Sequence, residues 1–355
     1  MSGRTEGARR SAALPSQYQP ERPAMTSLDS SNDSPHVWLA RQSRWSPLEI
    51  AFWLATLLPF YFFPTYLTLA SQIAITALFA ISVDLILGYA GIVTLGHAMF
   101  FGLGAYAAGL LSVYGWGEPI SGLLFAAAIA GLAGWLASFV IVRVQHLALI
   151  MITLGLGFLT YELANAMTWL TGGTDGLRGI RTWPIFNYFR FDLWGYTAYS
   201  YSLAALFVGF LLSRRIVNSS FGLALRGVRE NVRRMPAIGS DYRRHLQKIY
   251  VISAAIAGTA GGLLAQTTNV VALDALSFQR SADVVVMLIL GGTGRLYGAI
   301  VGAVIFLVAR DQLAGINPQY WYFWIGLLLM FVVLVMPKGI LGGLASLAAR
   351  WRGRG

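Results

Sequence analysis

Long apolar stretches recur along this 355-residue chain and constrain its fold more than any other feature. A helix needs about 20 apolar residues to cross the hydrocarbon layer of a membrane. Hydrophobic residues make up 56% of the chain and charged residues 12%, a balance that argues against a soluble fold. The pattern predicts an all-α, polytopic membrane helix bundle of about ten transmembrane helices. The approximate spans are 48–63, 66–87, 92–114, 120–142, 147–170, 197–213, 248–268, 276–292, 296–313 and 321–336.

The eighth and ninth spans are the weakest of the ten. Residues 291–295, with the sequence Gly-Gly-Thr-Gly-Arg, divide one apolar stretch into two short pieces, so nine crossings is the alternative. Lys and Arg collect in cytoplasmic loops, which gives an independent criterion. Ten spans place Arg41 and Arg44, before the first span, and Lys338, after the last, on the same cytoplasmic side. The sequence therefore favours ten crossings with both termini in the cytoplasm.

Composition divides the chain into three parts. Residues 1–45 are rich in Ser, Pro, Gly and Arg and predict a disordered cytoplasmic tail, for which a regulatory or docking role is the alternative. Residues 46–343 form the transmembrane domain, and residues 344–355 form a basic cytoplasmic tail. Within the domain, the loop 214–247 is predicted to lie inside and the segment 171–196 outside.

Charge supports this assignment of the two loops. Nine basic and two acidic residues lie in 214–248, whereas 171–196 has three basic and two acidic residues. The outer segment is also rich in Gly, Trp and Tyr. It is predicted to dock a binding protein, and an aromatic belt at the membrane interface is the alternative.

Several kinds of chemistry are disfavoured by what the chain lacks. It has no Cys, hence no disulfide or thiolate. A phosphate-binding Gly-x-x-x-x-Gly-Lys motif ends in Ser or Thr, but the only lysines, Lys248 and Lys338, precede Ile249 and Gly339. The net charge of +11 is distributed between apolar segments, which argues against nucleic acid. We expect no catalytic residue, no metal site and no cofactor or nucleotide site in this chain.

Residues 222–235, between the sixth and seventh spans, combine apolar and charged positions at helical spacing. From Leu225 to Met235 the apolar residues follow i, i+3, i+7 and i+10, which predicts a short amphipathic helix on the cytoplasmic side. Arg226 and Glu230, four residues apart, are expected to pair. The helix either rests on anionic lipid headgroups or fits a groove on an ATPase subunit. The predicted ATPase-coupling residues are Leu225, Arg226, Val228, Arg229, Glu230, Val232, Arg233 and Arg234.

Polar side chains within the spans are site candidates, because unpaired charges are costly in hydrocarbon. We predict that Asp84, His97, Glu162 and Asn165 line a substrate pathway. Glu162 and Asn165 share a helix face, and Asp84 is expected near the cytoplasmic end, partly hydrated. The alternative is that these groups satisfy backbone at helix breaks. Gly88, Gly91 and Gly96 are expected mainly to let helices pack closely. The alternative is a helix broken between residues 88 and 96, which would point its dipole at a solute.

Glycines and polar residues also occur in six ordered stretches between residues 75 and 343. These are Leu87–Gly91 with Thr94–Tyr106, Thr171–Ile180, Ala224–Arg226 with Arg229–Asn231, Ile252–Ala254 with Ala257–Gly258 and Ala260–Gly261, Met287–Gly292, and Pro337–Gly342. Together they resemble the permeases of branched-chain amino acid ABC importers, specifically the larger type that pairs with a second, related permease.

The resemblance implies both a function and a set of partners. It implies the transmembrane permease subunit of a bacterial ABC importer in the inner membrane, translocating branched-chain amino acids or a related small polar solute such as urea, an amide or an aromatic acid. The implied partners are a second homologous permease, two cytoplasmic ABC ATPase subunits that bind ATP and Mg²⁺, and an extracytoplasmic solute-binding protein. The coupling helix would lie between the sixth and seventh crossings.

Three departures from the family pattern leave the solute open. Asp84 stands where Asn is usual, Ile92 where Gln is common, and residues 155–158 are Gly-Leu-Gly-Phe where Gln or Glu often occurs. An ion-coupled secondary transporter, with Asp84 or Glu162 as the titrating group, is the alternative function.

Overall fold

The computed structural model describes residues 46–62, 64–144, 147–184, 195–232, 234–336 and 339–343. The predicted tails 1–45 and 344–355, part of the outer segment (185–194) and Arg233 lie outside these residues. Thirteen α-helices are described. They are α1 (Pro47–Ala55), α2 (Leu58–Phe62), α3 (Leu67–Asp84), α4 (Ala98–Val113), α5 (Pro119–Ile141), α6 (Leu147–Ala166), α7 (Thr168–Thr171), α8 (Tyr196–Val217), α9 (Ser220–Glu230), α10 (Tyr242–Thr268), α11 (Phe278–Gly291), α12 (Leu296–Ile316) and α13 (Trp321–Val335).

The prediction of an all-α membrane bundle is confirmed. Six helical segments are long and apolar enough to cross a membrane, and the other four predicted spans coincide with shorter helices. In the described part of the chain, extended pairing is limited to an isolated bridge between Leu177 and Val271. The six long segments are Pro64–Tyr89, Pro119–Ile141, Leu147–Ala166, Tyr196–Val217, Tyr242–Thr268 and Leu296–Ile316.

Local sequence explains where several helices begin and end. Ser46 and Glu49 form a capping box in front of α1, and Ser277 accepts a hydrogen bond from the backbone N–H of Arg280 to begin α11. Between α11 and α12, Gly292 and Gly294 have φ values of 107° and 77°, which favour glycine. The predicted break at residues 291–295 is therefore confirmed.

The helix α10 lies at the centre of the bundle and packs against α3, α4 and α5. In the most apolar 18-residue stretch of α10, 72% of the residues are buried, compared with 17% in that of α6 at the edge of the bundle. Small residues permit the close approach of α4 and α10: a methyl group at Gly104 would lie 2.4 Å from the Cα of Gly258. The least covered long helix is thus α6, which matters for the site.

The loops between the helices contact one another at two opposite ends of the bundle. At the end that carries α9, Arg214 pairs with Glu49 at 2.9 Å, and a methyl group at Gly339 would lie 2.4 Å from the Cα of Gly292. We call this the α9 end, and it contains residues 46–49, 88–94, 141–144, 147–149, 214–232, 234–246, 292–296 and 339–341.

The opposite end brings together the loop before α5, the residues after α7 and the loop after α10. The backbone N–H of Trp183 donates to the carbonyl of Gly117 at 2.8 Å, and Leu177 pairs with Val271. The hydroxyl of Thr182 donates to the carbonyl of Gln266 at 3.2 Å. Residues 114–119, 167–183 and 266–277 therefore share one end.

Two irregular segments interrupt the helices. The helix α3 continues as a π-helical segment, Leu85–Tyr89, at the α9 end. After Gly91, which has a φ of 74°, the chain runs without helical structure to His97, where α4 begins. The structure therefore has the break that is the alternative to glycine packing, and the helix of the third span, α4, begins at Ala98 rather than at residue 92 as predicted. Non-helical backbone at membrane depth requires protein partners or a polar cavity.

Candidate functional site

The helix α9 presents an apolar face to the bundle and a charged face outward. Leu225 and Val228 are buried, and Ser219 caps the helix by accepting a hydrogen bond from the backbone N–H of Gly222. A methyl group at Gly222 would lie 2.1 Å from the carbonyl oxygen of Val217, so only glycine fits against the end of α8. The predicted amphipathic helix exists and is seated firmly on the domain.

Its predicted length and one predicted ion pair are wrong. The helix ends at Glu230 rather than at Met235, because Asn231 adopts an extended conformation with φ −158° and ψ 96°. Met235 is nevertheless buried, because the turn that follows returns it to α9, where its sulfur would lie 3.0 Å from a methyl group at Gly227. Within the described residues, Arg226 does not pair with Glu230.

Arg226 instead contacts the π-helical segment. Its guanidinium carbon lies 5.7 Å from the centre of the Tyr89 ring, within the range of a cation–π interaction. This contact turns the side chain along the bundle surface rather than along α9. Arg226 therefore connects α9 to the segment Leu85–Tyr89.

Arg229 makes the most specific contact between α9 and the bundle. Its Nη1 donates a hydrogen bond to the carbonyl oxygen of Gly88, in the last turn of the π-helical segment. The backbone of Gly91 passes close beside the same side chain, since a methyl group there would lie 2.9 Å from Arg229 Cγ. A charged donor on a carbonyl at an irregular helix end satisfies an acceptor that the helix leaves free.

Asp84 lies on the other side of this contact. It is fully buried, so the expectation of a partly hydrated carboxylate is wrong. Its Oδ1 accepts a hydrogen bond of 2.7 Å from the backbone N–H of Gly294, in the turn between α11 and α12. A methyl group at Gly88 would lie 2.2 Å from this oxygen and 2.4 Å from the Gly294 nitrogen, so the three groups are in close contact.

A cavity of about 360 Å³ lies beside the non-helical stretch before α4. Gly96 and Gly157, the eleventh of the twenty residues of α6, line it side by side: a methyl group at Gly157 would lie 3.2 Å from the Cα of Gly96. The polar lining side chains are those of Tyr161, Ser277, Gln279 and Ser281. The start of α11 therefore brings polar groups to a point halfway along α6.

Side chains replace the missing helical hydrogen bonds at this cavity. Ser281 Oγ accepts a hydrogen bond of 2.9 Å from the backbone N–H of Ala98, and Thr153 Oγ1 accepts one of 3.4 Å from that of Leu95. Broken helices with polar cavities at their ends form the solute sites of many transporters. The arrangement can hold a small polar solute beside α6, about halfway along that helix.

The predicted pathway residues do not line this cavity. His97 follows Gly96 but turns inward, and its Nε2 lies 3.0 Å from the hydroxyl of Ser253. That hydroxyl donates to the carbonyl of Ser82, so the imidazole Nε2 is the donor toward Ser253. Phe79 and Phe100 pack around the ring. In this structure, His97 joins three crossings through hydrogen bonds and ring packing.

Glu162 and Asn165 share a face of α6, as predicted, but they lie beyond Tyr161 and outside the cavity. Glu162 is exposed and Asn165 is half-buried. The large side chains around Glu162 are exposed as well, Leu159 by 57% and Leu163 by 52%. A carboxylate on an otherwise apolar helix face calls for water or a partner to cover it.

The sequence analysis missed Tyr161, Ser277, Gln279 and Ser281. A polar cluster of Ser, Gln and Ser at the start of the eighth span was the available signal. Within the described residues, no group of three or more His, Asp and Glu is placed to hold a metal ion.

A bundle of apolar helices with a broken crossing, a polar cavity at mid-depth and a basic surface helix defines a membrane transport subunit. The sequence model of the family described as "Branched-chain amino acid transport system / permease component" matches residues 65–333. The chain therefore belongs to this family of transport permeases, which are not enzymes.

Relatives with curated descriptions agree with this assignment. The chain is 29% identical over 314 residues to the high-affinity branched-chain amino acid transport system permease protein LivM of Escherichia coli (strain K12), covering 81% of this chain and 72% of that protein. It is 27% identical over 291 residues to LivH of the same strain, covering 75% and 91%. A probable LivM of Methanocaldococcus jannaschii is 26% identical over 308 residues, covering 74% and 89%. No solved structure matches the chain significantly.

Proposed function

We propose that this chain is the permease subunit of an ATP-driven importer for a branched-chain amino acid or a related small polar solute. Separate ATPase subunits press on α9, and a second, related permease completes the passage. The observation that carries the proposal is the hydrogen bond from Arg229, on α9, to Gly88 at the end of the π-helical segment. Family membership favours this function over an ion-coupled transporter.

Ten crossings with the α9 end in the cytoplasm fit the arrangement of the loops. Arg214, Arg226, Arg229 and Arg295 all lie at the α9 end, and basic residues favour the cytoplasmic side. The turn 292–295 lies against Arg229, since a methyl group at Gly294 would be 3.0 Å from its Nη1. This contact supports an inner turn between the eighth and ninth crossings, as ten spans require.

Movement of α9 would reach the passage through the second crossing. An ATPase subunit that shifts α9 also shifts the guanidinium of Arg229, and with it the carbonyl of Gly88. The same crossing is tied to the turn after α11 through Asp84 and Gly294. The first residues of α11, with Ser277 and Gln279, line the solute cavity, and the turn after its last residue contacts the second crossing. The helix α11 would therefore carry movement from the coupling helix to the cavity.

The second permease would face α6. This helix is the least buried of the six long ones, and its exposed face carries Glu162 and the half-buried Asn165. Two such faces opposite each other would enclose a passage into which the carboxylate projects, hydrated rather than in lipid. Asp84 and His97, by contrast, are proposed to hold crossings together rather than to touch the solute.

A solute-binding protein would deliver the solute at the opposite end of the bundle. Residues 172–183 are held there by Val271, Gly117 and Ser112, which gives a docking protein an ordered surface. Exposed Trp169 and Trp183 also suit the membrane interface, so the aromatic belt remains the competing explanation for those rings.

Vesicles that contain the permease pair and the ATPase subunits test the proposal. Arg229→Ala removes a charged hydrogen bond of about 1.5–3 kcal/mol, so solute uptake per ATP hydrolysed should fall about tenfold or more. Arg215→Ala, an exposed arginine on α8, is the matched control and should leave this ratio unchanged. An equal uptake per ATP in the unmodified protein, Arg229→Ala and Arg215→Ala would overturn the coupling role. Uptake that collapses with an uncoupler while ATP is present would favour ion coupling.

A further inference from the structure

Two neighbouring cavities lie on the outside of the bundle between α1, α8 and α12, and we call them together the furrow. They have volumes of about 510 Å³ and about 610 Å³, and Phe52 lines both. On α8, Tyr199 and Leu206 line the larger cavity, and Arg214, nearer the α9 end, lines the smaller one. The helix α1 has no fully buried residue and contacts the bundle mainly through aromatic rings, with Phe52 5.3 Å from Tyr297 of α12 and Trp53 5.2 Å from Phe210 of α8 between ring centres.

The cavity at the α9 end is positively charged. Arg214, Arg226 and Arg295 line it, and Glu49 is the one carboxylate among its lining residues. Glu49 pairs with Arg214 at 2.9 Å, so two positive charges are in excess. Arg226 comes from the coupling helix and Arg295 from the turn before α12. Three separate elements thus place guanidinium groups around one crevice.

The second cavity is lined almost entirely by apolar side chains. Leu203 and Leu206 of α8 face Ile300 and Val304 of α12 across it. From Arg214 to Leu203 is eleven residues, or about 17 Å along a helix. This is close to half of the hydrocarbon thickness of about 30 Å. The furrow therefore changes from basic to apolar over the length of one lipid leaflet.

We propose that the furrow binds an anionic phospholipid of the inner leaflet, with its phosphate at Arg226 and Arg295 and an acyl chain between Leu203 and Val304. Basic crevices between helices on the cytoplasmic side suit anionic headgroups, and the apolar part excludes a free phosphate as the complete ligand. The placement in the inner leaflet rests on the orientation proposed above. A lipid in this position would pack against α1, α8 and α12 at once.

Native mass spectrometry of the purified permease complex tests this, after exposure to mixed phosphatidylglycerol and phosphatidylcholine micelles. The unmodified complex should retain phosphatidylglycerol preferentially. Arg295→Gln should weaken that retention about fivefold, the effect of one interfacial arginine. Val304→Trp should abolish retention by filling the apolar part, without touching any charge. Arg215→Gln, an exposed arginine outside the furrow, is the control and should change nothing.

Three results would overturn the proposal. Equal retention of both lipids would mean ordinary surrounding lipid. Unchanged retention in Val304→Trp would mean that only a headgroup is held, as a free phosphate would be. A purified complex without bound phospholipid would mean that other residues of the chain fill the furrow. Because the readout is lipid retention, failure here leaves the coupling ratio of Arg229→Ala as a separate result.

Discussion

The carboxylate of Asp84 accepts a hydrogen bond of 2.7 Å from the backbone N–H of Gly294, 210 residues later in the chain. This bond joins the second crossing to the turn between α11 and α12. Arg229 reaches the same crossing from α9 through the carbonyl of Gly88. One short segment, Leu85–Tyr89, is therefore held on both sides by elements that the transport cycle would move relative to each other.

Asp84 should tolerate Asn but not Ala. The amide oxygen of Asn can still accept the Gly294 N–H, whereas Ala leaves that donor buried and unpaired at a cost of about 1–3 kcal/mol. We expect Asp84→Ala to lower the midpoint of thermal unfolding of the detergent-purified complex and Asp84→Asn to preserve it. Equal loss in both variants would show that the negative charge, rather than the hydrogen bond, holds the turn.

Gly88→Ala should disturb the same contact by steric means. The added methyl group would lie 2.4 Å from the Gly294 nitrogen, and backbone cannot move aside as a flexible side chain can. We expect less folded protein in the membrane, or, where it inserts, a lower uptake per ATP. Gly326→Ala, where a methyl group meets nothing within 4 Å, is the matched control. Normal coupling in Gly88→Ala would contradict the close contact.

The sequence predicted the helical segments well, because apolar length is a local property of the chain. It also located the break at 291–295, where clustered glycines interrupt the apolar pattern. Residues 92–97 were predicted as helix and are non-helical, because the side chains of Thr153 and Ser281 bind backbone N–H groups that the break leaves free. The predicted end of α9 was wrong. The apolar spacing continues to Met235, but the extended backbone of Asn231 ends the helix at Glu230.

The site was harder to predict, since its contacts join distant parts of the chain. Nothing near Asp84 in sequence indicates Gly294 as its partner, and nothing near His97 indicates Ser253. A polar residue in an apolar span predicts a side chain that faces a pathway, yet Asp84 and His97 are buried and hydrogen-bonded within the protein. The cavity was missed because three separate segments form it.

Glu162→Gln should alter transport without altering assembly. The side chain is exposed on α6, so removing its charge costs the fold little, while a passage loses a fixed negative charge. We expect a changed uptake rate or a changed preference between neutral and charged solutes, measured in vesicles at equal protein. Unchanged uptake of every solute would return Glu162 to a structural role.

Filling the cavity beside Gly96 should block the solute. Gly157→Leu adds a large side chain at the lining of the 360 Å³ cavity, where its Cβ would also lie 3.2 Å from the Cα of Gly96. Uptake should fall at least tenfold while the ATPase subunits remain bound, because the change lies away from α9. Gly155→Leu, two residues earlier and with open space around it, is the control. Equal uptake by the two variants would place the solute route elsewhere.

Site-directed labelling of α9 tests the central claim most directly. The chain contains no Cys, so Leu223→Cys on the exposed side of α9 provides a single reactive group. A membrane-impermeant maleimide should label it in inside-out vesicles, and bound ATPase subunits should protect it. Labelling in intact cells, from the outer side of the membrane, would contradict the coupling role of α9.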